Sequence, residues 1–567
     1  MKRKHALVVA IFSLTLVVAI ALGKLYRVSY FALLPFTPGE LMSCVFFIAV
    51  LTRQVLIRRS RASEEWTAGG NSRSLVGLAV ALAAGGLAYS LTIPLFFNAD
   101  DFDHLQLVRQ PFLSSIGPQF TQGQAGGQGH IFYRPVGFLS LFVDYRLWHS
   151  WAPGYHLTNL SLYLICVAAV FFLCKELRLP SELCSTTALV FALLPANVQV
   201  VTWIACRFDQ LATAFMVWAM VLSVRFRRTG NWFLYGGSIL LFAMAAWSKE
   251  SAYSLPLVWI ALEFLPRDRG KRELIRPWMR WAPLAGYLGV SMLFFLQRWH
   301  LLGGIAGYAP PGGIPIIEEF GAQDVIAILV RAPGGMLLGY NFLQPPLVPV
   351  FGLLMVTGAM FLMLALLAEE TAYSRRLIWL SLAWILASVI PVHFYFHDPA
   401  DSVIYARGLY FGSAGLSLLI AVLLYGSFQR PIFRRVCTLA LAVALVAGVE
   451  HNLGAWRTVS QITESFLTEL RTLEPSPRQG AIFRIDDSPV LVRGVPFFTV
   501  GLESAVRFTY GWRTDITAEP LVQSAPAGCE DVICVAWWDG HTPNLRSPGE
   551  LLHPKAFRIS AGSGTAP

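Results

Sequence analysis

Three aspartates and a histidine crowd one short stretch, Asn98-Ala-Asp100-Asp101-Phe-Asp103-His104, directly after an apolar block. Carboxylates beside a low-dielectric region are partly stripped of water. That raises their pKa and suits a general base. On spacing alone the same residues read equally well as a solvated acidic cap ending a helix. A third reading is a divalent-cation site using Asp101, Asp103 and His104 with Asp100, although no second acidic cluster lies nearby in sequence.

Cations recur at the ends of other apolar blocks. Arg207 and Asp209 lie in Trp203-Ile-Ala-Cys-Arg-Phe-Asp-Gln-Leu-Ala, Lys249 and Glu250 in Trp-Ser-Lys-Glu-Ser, and Arg407 in Tyr405-Ala-Arg-Gly-Leu-Tyr410. An arginine at such a place must pair or meet an anion, because leaving it bare in lipid is costly. It either bridges to its neighbour Asp209 or grips a phosphate with two donors. The bland reading of Lys249 and Glu250 is a pair that snorkels to water. His393 and His397 have the spacing of a metal pair, but Pro391 and Pro399 argue against the regular helix that would align them.

The elements that must position these groups are membrane helices. The chain has 567 residues, of which 55% are hydrophobic and 14% charged, too little charge to cover a soluble surface of this size. About thirteen apolar blocks are long enough to cross a bilayer, near 6–23, 38–57, 75–97, 155–175, 182–200, 209–225, 232–248, 251–266, 281–299, 347–368, 376–393, 407–426 and 434–450. The first follows Met-Lys-Arg-Lys-His and reads as a retained anchor.

The net charge of +10 is no sign of nucleic-acid binding. The basic residues gather in alternate loops: Arg53, Arg58, Arg59 and Arg61; Lys175 and Arg178; Arg225, Arg227 and Arg228; then a run from Arg267 to Arg280; Arg375 and Arg376; and Arg430, Arg434 and Arg435. With the helices counted as above, all face one side, and the positive-inside rule makes it the cytoplasm. The N-terminus is then cytoplasmic. Asp100, Arg207, Lys249 and Arg407 share the opposite face.

That face carries two long loops, 98–154 and 300–346. The first holds a Gly/Gln-rich stretch, Gln122–Gly129, then an amphipathic run from Arg134 to Trp148 with Pro135 fit for a first helical turn. The second is rich in Gly and Pro, with a short apolar helix near 324–340. The segment 451–567 is far more polar and alternates in runs such as Ala481–Ile485 and Val532–Trp537, which predicts a small extracytoplasmic α/β domain. Six cysteines read as small core residues. Cys529 and Cys534 share the C-terminal segment, where the compartment is compatible with a disulfide. No internal repeat is visible. The chain therefore divides into 1–74 (two N-terminal spans and a cytoplasmic loop), 75–450 (a transmembrane module with the two long outer loops) and 451–567.

Several motifs in order resemble the GT-C glycosyltransferases, and among them the TMTC-type and protein O-mannosyltransferase branch. They are the acidic pair, Tyr133-Arg134-Pro135-Val136, Gly154-Tyr155-His156-Leu157-Thr158-Asn159, Arg207-Phe-Asp209-Gln-Leu211-Ala212, Ser248-Lys249-Glu250, and Arg407-Gly-Leu409-Tyr410-Phe-Gly-Ser413-Ala-Gly415. They cover roughly residues 75–426.

The resemblance implies a GT-C-like polytopic fold and an inverting transferase that takes a sugar from a polyprenyl-phosphate carrier. Asp100 would be the base, with Asp101 as second candidate. Arg207, Lys249 and Arg407 would hold the departing phosphate. Tyr133, Arg134, His156, Asn159, Asp209, Glu250 and Tyr410 would shape the pocket. No cofactor is required by this reading, and a divalent cation stays open.

Two departures put the acceptor in doubt. Leu194–Gln199 lacks the His and acidic residues of the TMTC version, and tetratricopeptide repeats are absent. The acceptor is a protein or glycan hydroxyl. The alternative from a different class is a transporter or flippase of a lipid-linked glycan, which would use the cations but need no base. The Ala/Leu/Arg-rich composition, taken with the resemblance, implies a bacterial inner membrane with undecaprenyl phosphate as carrier.

Overall fold

The computed structural model describes residues 37–56, 71–121, 124–125, 131–263, 277–302, 321–344, 346–368, 371–397, 405–486, 491–498, 500–520, 532–536 and 558–560. The first expected span, 6–23, lies outside them, as do Cys529, Asp398 and Asp401 and most of the basic run 267–276.

The protein is a membrane protein built mainly of helices. Among the described residues, seven helices are long and apolar enough to cross a membrane: 75–92, 152–176, 204–229, 348–367, 373–395, 406–427 and 431–472. An eighth appears if the bent pair 181–193 and 195–202 counts as one span. The break falls at Pro195, which supplies no N–H to continue the helix. Of two further expected spans, Trp232–Ala246 is a 15-residue helix, shorter than a bilayer, and Leu255–Glu263 is helical up to the end of the described residues. The expected block 434–450 is the first part of one 43-residue helix, Pro431–Leu473, whose polar second half continues as a shaft toward the C-terminal segment.

Charged groups sort to the two ends of this bundle. At one end Arg227 and Arg280 both bind Glu263 at 2.7 Å, Arg228 pairs with Glu176, and Arg434 pairs with Glu182 at 2.7 Å. The basic loops singled out by sequence thus meet one another there. At the other end the acidic stretch, Arg134, residues 205–209, Lys249 and the turn before helix Tyr410–Ser427 converge.

The run expected to be amphipathic forms helix Pro135–Trp148, but its apolar residues are not confined to one face, since Val143 and Leu147 are exposed while Asp144 is buried. Pro135 sits in its first turn and the Val136 N–H donates to the Trp247 carbonyl at 3.2 Å. The apolar helix of the second loop is present as Ala322–Ile326, a π-turn Ala327–Arg331 and Ala332–Leu337.

Among the described residues of the C-terminal segment, four strands form one sheet: β1 (Ile482–Asp486), β2 (Thr517–Pro520), β3 (Val532–Ala536) and β4 (Arg558–Ser560), in the order β2-β1-β3-β4. β1 is parallel to both its neighbours, and β4 runs antiparallel to β3. A short antiparallel ladder, Leu491–Val492 against Val495–Pro496, and helix Leu502–Thr509 lie between β1 and β2 in the chain. Cys166, Cys174, Cys184 and Cys206 are buried free thiols, and Cys44 and Cys437 are half-buried.

Candidate active site

The preceding helix is finished by Thr92, well before the acidic stretch, so the aspartates do not cap it. They open the next helix, Asp101–Val108, where the N-terminal dipole favours negative charge. The turn between is tight, and Ala99 sits at a positive φ of 47°.

The two neighbouring carboxylates meet different surroundings. Asp101 is buried, and both its oxygens accept backbone N–H groups at 2.9 Å: Oδ2 from Asn98 and Oδ1 from Ala205. It ties its own turn to the turn before helix Arg207–Thr229. Asp100 as a residue is half-exposed, but its Oδ1 is buried and has no hydrogen-bond partner among the described residues. Burial pushes the Asp100 carboxyl up to about 6, while Arg407, the largest opposing influence, and Arg134 pull it back. The Trp203 indole N–H lies close enough to favour the ionised form, yet closes no hydrogen bond. Burial, and then the charge of Asp100, raise Asp101 well above the carboxylate range.

Asp103 turns away from its neighbours and accepts the Ser504 hydroxyl. The three-residue cluster whose ligand atoms lie within 4.8 Å of one another is therefore Asp100, Asp101 and His104, not the expected Asp101, Asp103 and His104. Burial lowers the His104 imidazole to about 4, so it is neutral at physiological pH, as a metal ligand must be. Both Asp101 oxygens already hold N–H groups, so the set is poor in spare oxygen ligands for a hard cation.

The cations are also placed unequally. Arg207 is 0% exposed. Its guanidinium binds Asp144 Oδ2 at 2.5 Å, Asn159 Oδ1 at 2.8 Å and the Tyr155 carbonyl at 3.1 Å. The expected local bridge to Asp209 does not form. Asp209 takes Lys249 instead, at 2.6 Å across two helices, so Lys249 is buried and does not snorkel. Glu250 pairs with Arg134, whose Nε donates at 3.0 Å, and Arg298 Nη1 lies 3.7 Å away. Burial works against ionisation of Glu250, but the two arginines prevail and hold it below the usual carboxylate range.

Arg407 is half-exposed, with its guanidinium carbon 4.6 Å from the centroid of the Trp203 ring and 5.9 Å from that of Tyr405. Its backbone N–H donates to Gln199 Oε1 at 2.8 Å, which pins the turn before helix Tyr410–Ser427 to the broken helix. Asp100, Trp203 and Arg407 therefore form one group, the mouth, in which Asp100 and Arg407 are half-exposed. Arg207, Asp144, Lys249 and Asp209 are buried and form a second, the floor.

Of the other predicted pocket residues, Asn159 bridges Arg207 and the Trp203 carbonyl. His156 is buried beside the backbone of Leu95 and Phe96. The Tyr133 hydroxyl accepts from Gln297 at 2.7 Å and donates to the Phe120 carbonyl at 3.0 Å. Tyr410 is not brought to the acidic pair and packs in an aromatic core with Tyr163 and Phe191. His393 Nε2 and His397 Nε2 both face Asp324 Oδ1, at 3.2 and 2.8 Å.

Sequence reasoning missed Asp144, Trp203 and Arg298 as members of this network. Arg298 carried a signal, since an arginine inside an apolar block is a functional flag by itself. Asp144 and Trp203 had none beyond proximity to the motifs.

No family model matches the chain. A stretch of 218 residues, 36% of the chain, is 22% identical to a protein O-mannosyl-transferase of Caenorhabditis elegans and covers 31% of that protein. The chain thus spans about a third of the length of the curated relative it matches. Among solved structures, the oligosaccharyltransferase of Archaeoglobus fulgidus tethered with an acceptor peptide overlaps with a TM-score of 0.38 at 10% identity, over 73% of this chain and 61% of that one. ArnT from Cupriavidus metallidurans bound to undecaprenyl phosphate overlaps with a TM-score of 0.33 at 12% identity, over 82% and 92%. At such TM-scores these overlaps carry no argument of their own.

Proposed function

We propose that this chain, O-mannosyltransferase-like over the stretch it shares with the nematode protein, is a membrane glycosyltransferase. Its donor is a polyprenyl-phosphate sugar and its acceptor a hydroxyl on a protein or glycan. One observation carries the reading: of two adjacent carboxylates, only Asp100 keeps an oxygen without a hydrogen-bond partner, and the half-exposed Arg407 is the cation that acts most strongly on it.

In the proposed reaction, Asp100 takes the proton of the acceptor hydroxyl. The oxygen attacks the anomeric carbon, the bond from that carbon to the phosphate oxygen breaks, and polyprenyl phosphate leaves with inversion. Arg407 receives the charge that grows on the phosphate. Arg207 and Lys249, expected to share this task, already hold Asp144 and Asp209. Their proposed role is to fix the floor of the site. Asp101 positions the turn. Tyr133, Arg134, His156, Asn159 and Glu250 line or brace the pocket.

The wider reading places about thirteen helices in a bacterial inner membrane. The N-terminus and basic loops are cytoplasmic, and the catalytic module is 75–450. The acidic turn and the small α/β domain 451–567 lie on the extracytoplasmic side.

The test is release of polyprenyl phosphate from a polyprenyl-phosphate sugar by the purified chain, compared with Asp100→Asn. Equal turnover in that variant removes the base. Lipid translocation without release would establish the transporter instead.

A further inference from the structure

The C-terminal segment touches the acidic turn directly. The Asn98 amide donates to the Pro496 carbonyl at 2.7 Å. Ser504 binds Asp103, and also Gln106 at 2.9 Å. Phe508 packs on Phe97 and Phe102 at centroid distances of 5.9 and 5.5 Å, and Phe498 meets Phe102 at 6.5 Å. The closest approach is at Gly501, itself at φ 85°, where a Cβ would stand 2.1 Å from the Ala99 carbonyl oxygen. The obstacle is backbone, which cannot swing aside. Opposite it, Ala99 holds a left-handed conformation that is strained for a residue with a Cβ. A strained turn persists only where its surroundings over-determine it.

The segment is anchored from its other side as well. The Arg493 carbonyl accepts the Asn341 amide at 2.8 Å, and the Arg493 guanidinium reaches Gln344 Oε1 at 3.3 Å and Thr458 Oγ1 at 3.1 Å. The ladder 491–496 is thus fixed to the second half of the long helix, at Thr458, and to the 339–344 turn. Helix Leu502–Thr509 is fixed to the acidic helix. A loose appendage would need neither set of contacts.

We propose that Gly501 and Ser504 are positioning residues for the acidic turn, and that the C-terminal segment acts in cis as the outer half of the active site. Gly501 admits the Ala99 carbonyl and Ser504 orients Asp103. Together they hold Asp100 toward Trp203 and Arg407. The inference rests on the function proposed above only for its catalytic consequence.

The experiment takes the full chain in detergent or nanodiscs, as wild type, Gly501→Ala, Ser504→Ala and Ser504→Thr. Amide hydrogen exchange is followed over 98–106, with helix Tyr410–Ser427 as internal reference. Polyprenyl-phosphate release is measured in parallel. Gly501→Ala is expected to speed exchange in the turn about tenfold with the reference unchanged. It is expected to lower kcat about 10- to 100-fold with little change in the donor KM, because the base is misplaced while the donor still binds. Ser504→Ala gives a smaller loss of the same kind, and Ser504→Thr restores it by keeping the hydroxyl.

Unchanged exchange in Gly501→Ala overturns the clasp. Faster exchange with unaltered kcat overturns its catalytic part. Should Gly501→Ala fail to fold, the Ser504 pair decides by the same readouts. If wild type releases no lipid phosphate, the function proposed above falls, and the exchange arm alone still decides whether the segment holds the turn.

Discussion

Arg207 and Arg407 each precede or open an apolar helix, each beside an aromatic residue, yet they lie in opposite environments. Arg207 is sealed, and its donors are spent on Asp144, Asn159 and the Tyr155 carbonyl. Arg407 rests on the Trp203 ring at the mouth and acts on Asp100. The aspartates show the same division: Asp101 is bound from both sides by backbone N–H groups, while one Asp100 oxygen is left without a partner. Residues of the two groups are thus interleaved along the chain, and the buried charges of the floor are paired with one another.

The largest effect that tests this division is on the floor. Arg207→Met strands the Asp144 charge inside the protein, and breaking such a buried pair costs about 3–5 kcal/mol. The expected outcome is loss of monodisperse protein after extraction, partly recovered in Arg207→Met with Asp144→Leu. A stable Arg207→Met that only weakens donor binding would return Arg207 to the mouth.

Next is the base. Asp100→Asn is expected to lower kcat by about 10²- to 10⁴-fold with an unchanged thermal midpoint. Asp101→Asn replaces an acceptor of two backbone N–H groups with one that presents a single oxygen. It should lower the midpoint, at about 1–3 kcal/mol for the buried N–H left unpaired. If Asp101→Asn abolishes turnover at full stability, the two carboxylates exchange roles.

Arg407→Ala is expected to cost about 10²- to 10³-fold in kcat, because a cation aimed at charge developing on the leaving group is lost. Arg407→Lys should recover part of it, since the charge remains while the stacking plane over Trp203 goes.

The smallest effect is that of pH. The base must be ionised to accept a proton, and Asp100 lies near 6 rather than in the ordinary carboxylate range. The kcat/KM of wild type should therefore rise with pH through about 6 and level off above it. An acid limb below 5 would mean that burial does not act on the working carboxylate.

The sequence alone established a polytopic chain, the sorting of basic loops to one end and chemistry-bearing residues to the other, and the short list that includes Asp100, Arg207, Lys249 and Arg407. These are one-dimensional properties: block length, loop charge, and the cost of placing an ionisable group beside lipid. Arg298 was equally legible by that last criterion.

Only the tertiary structure decided the pairings. Asp209 is two residues from Arg207 but meets Lys249, because the turn of helix between them points the side chains to different neighbours. Asp144 meets Arg207 because helix Pro135–Trp148 brings it to the first residue of helix Arg207–Thr229. The docking of Gly501 on Ala99 joins residues about four hundred positions apart, and nothing in either local sequence specifies it. Hydrogen bonds and steric fit act over a few ångströms in space, so which carboxylate is spent and which is left available was settled only when the chain folded.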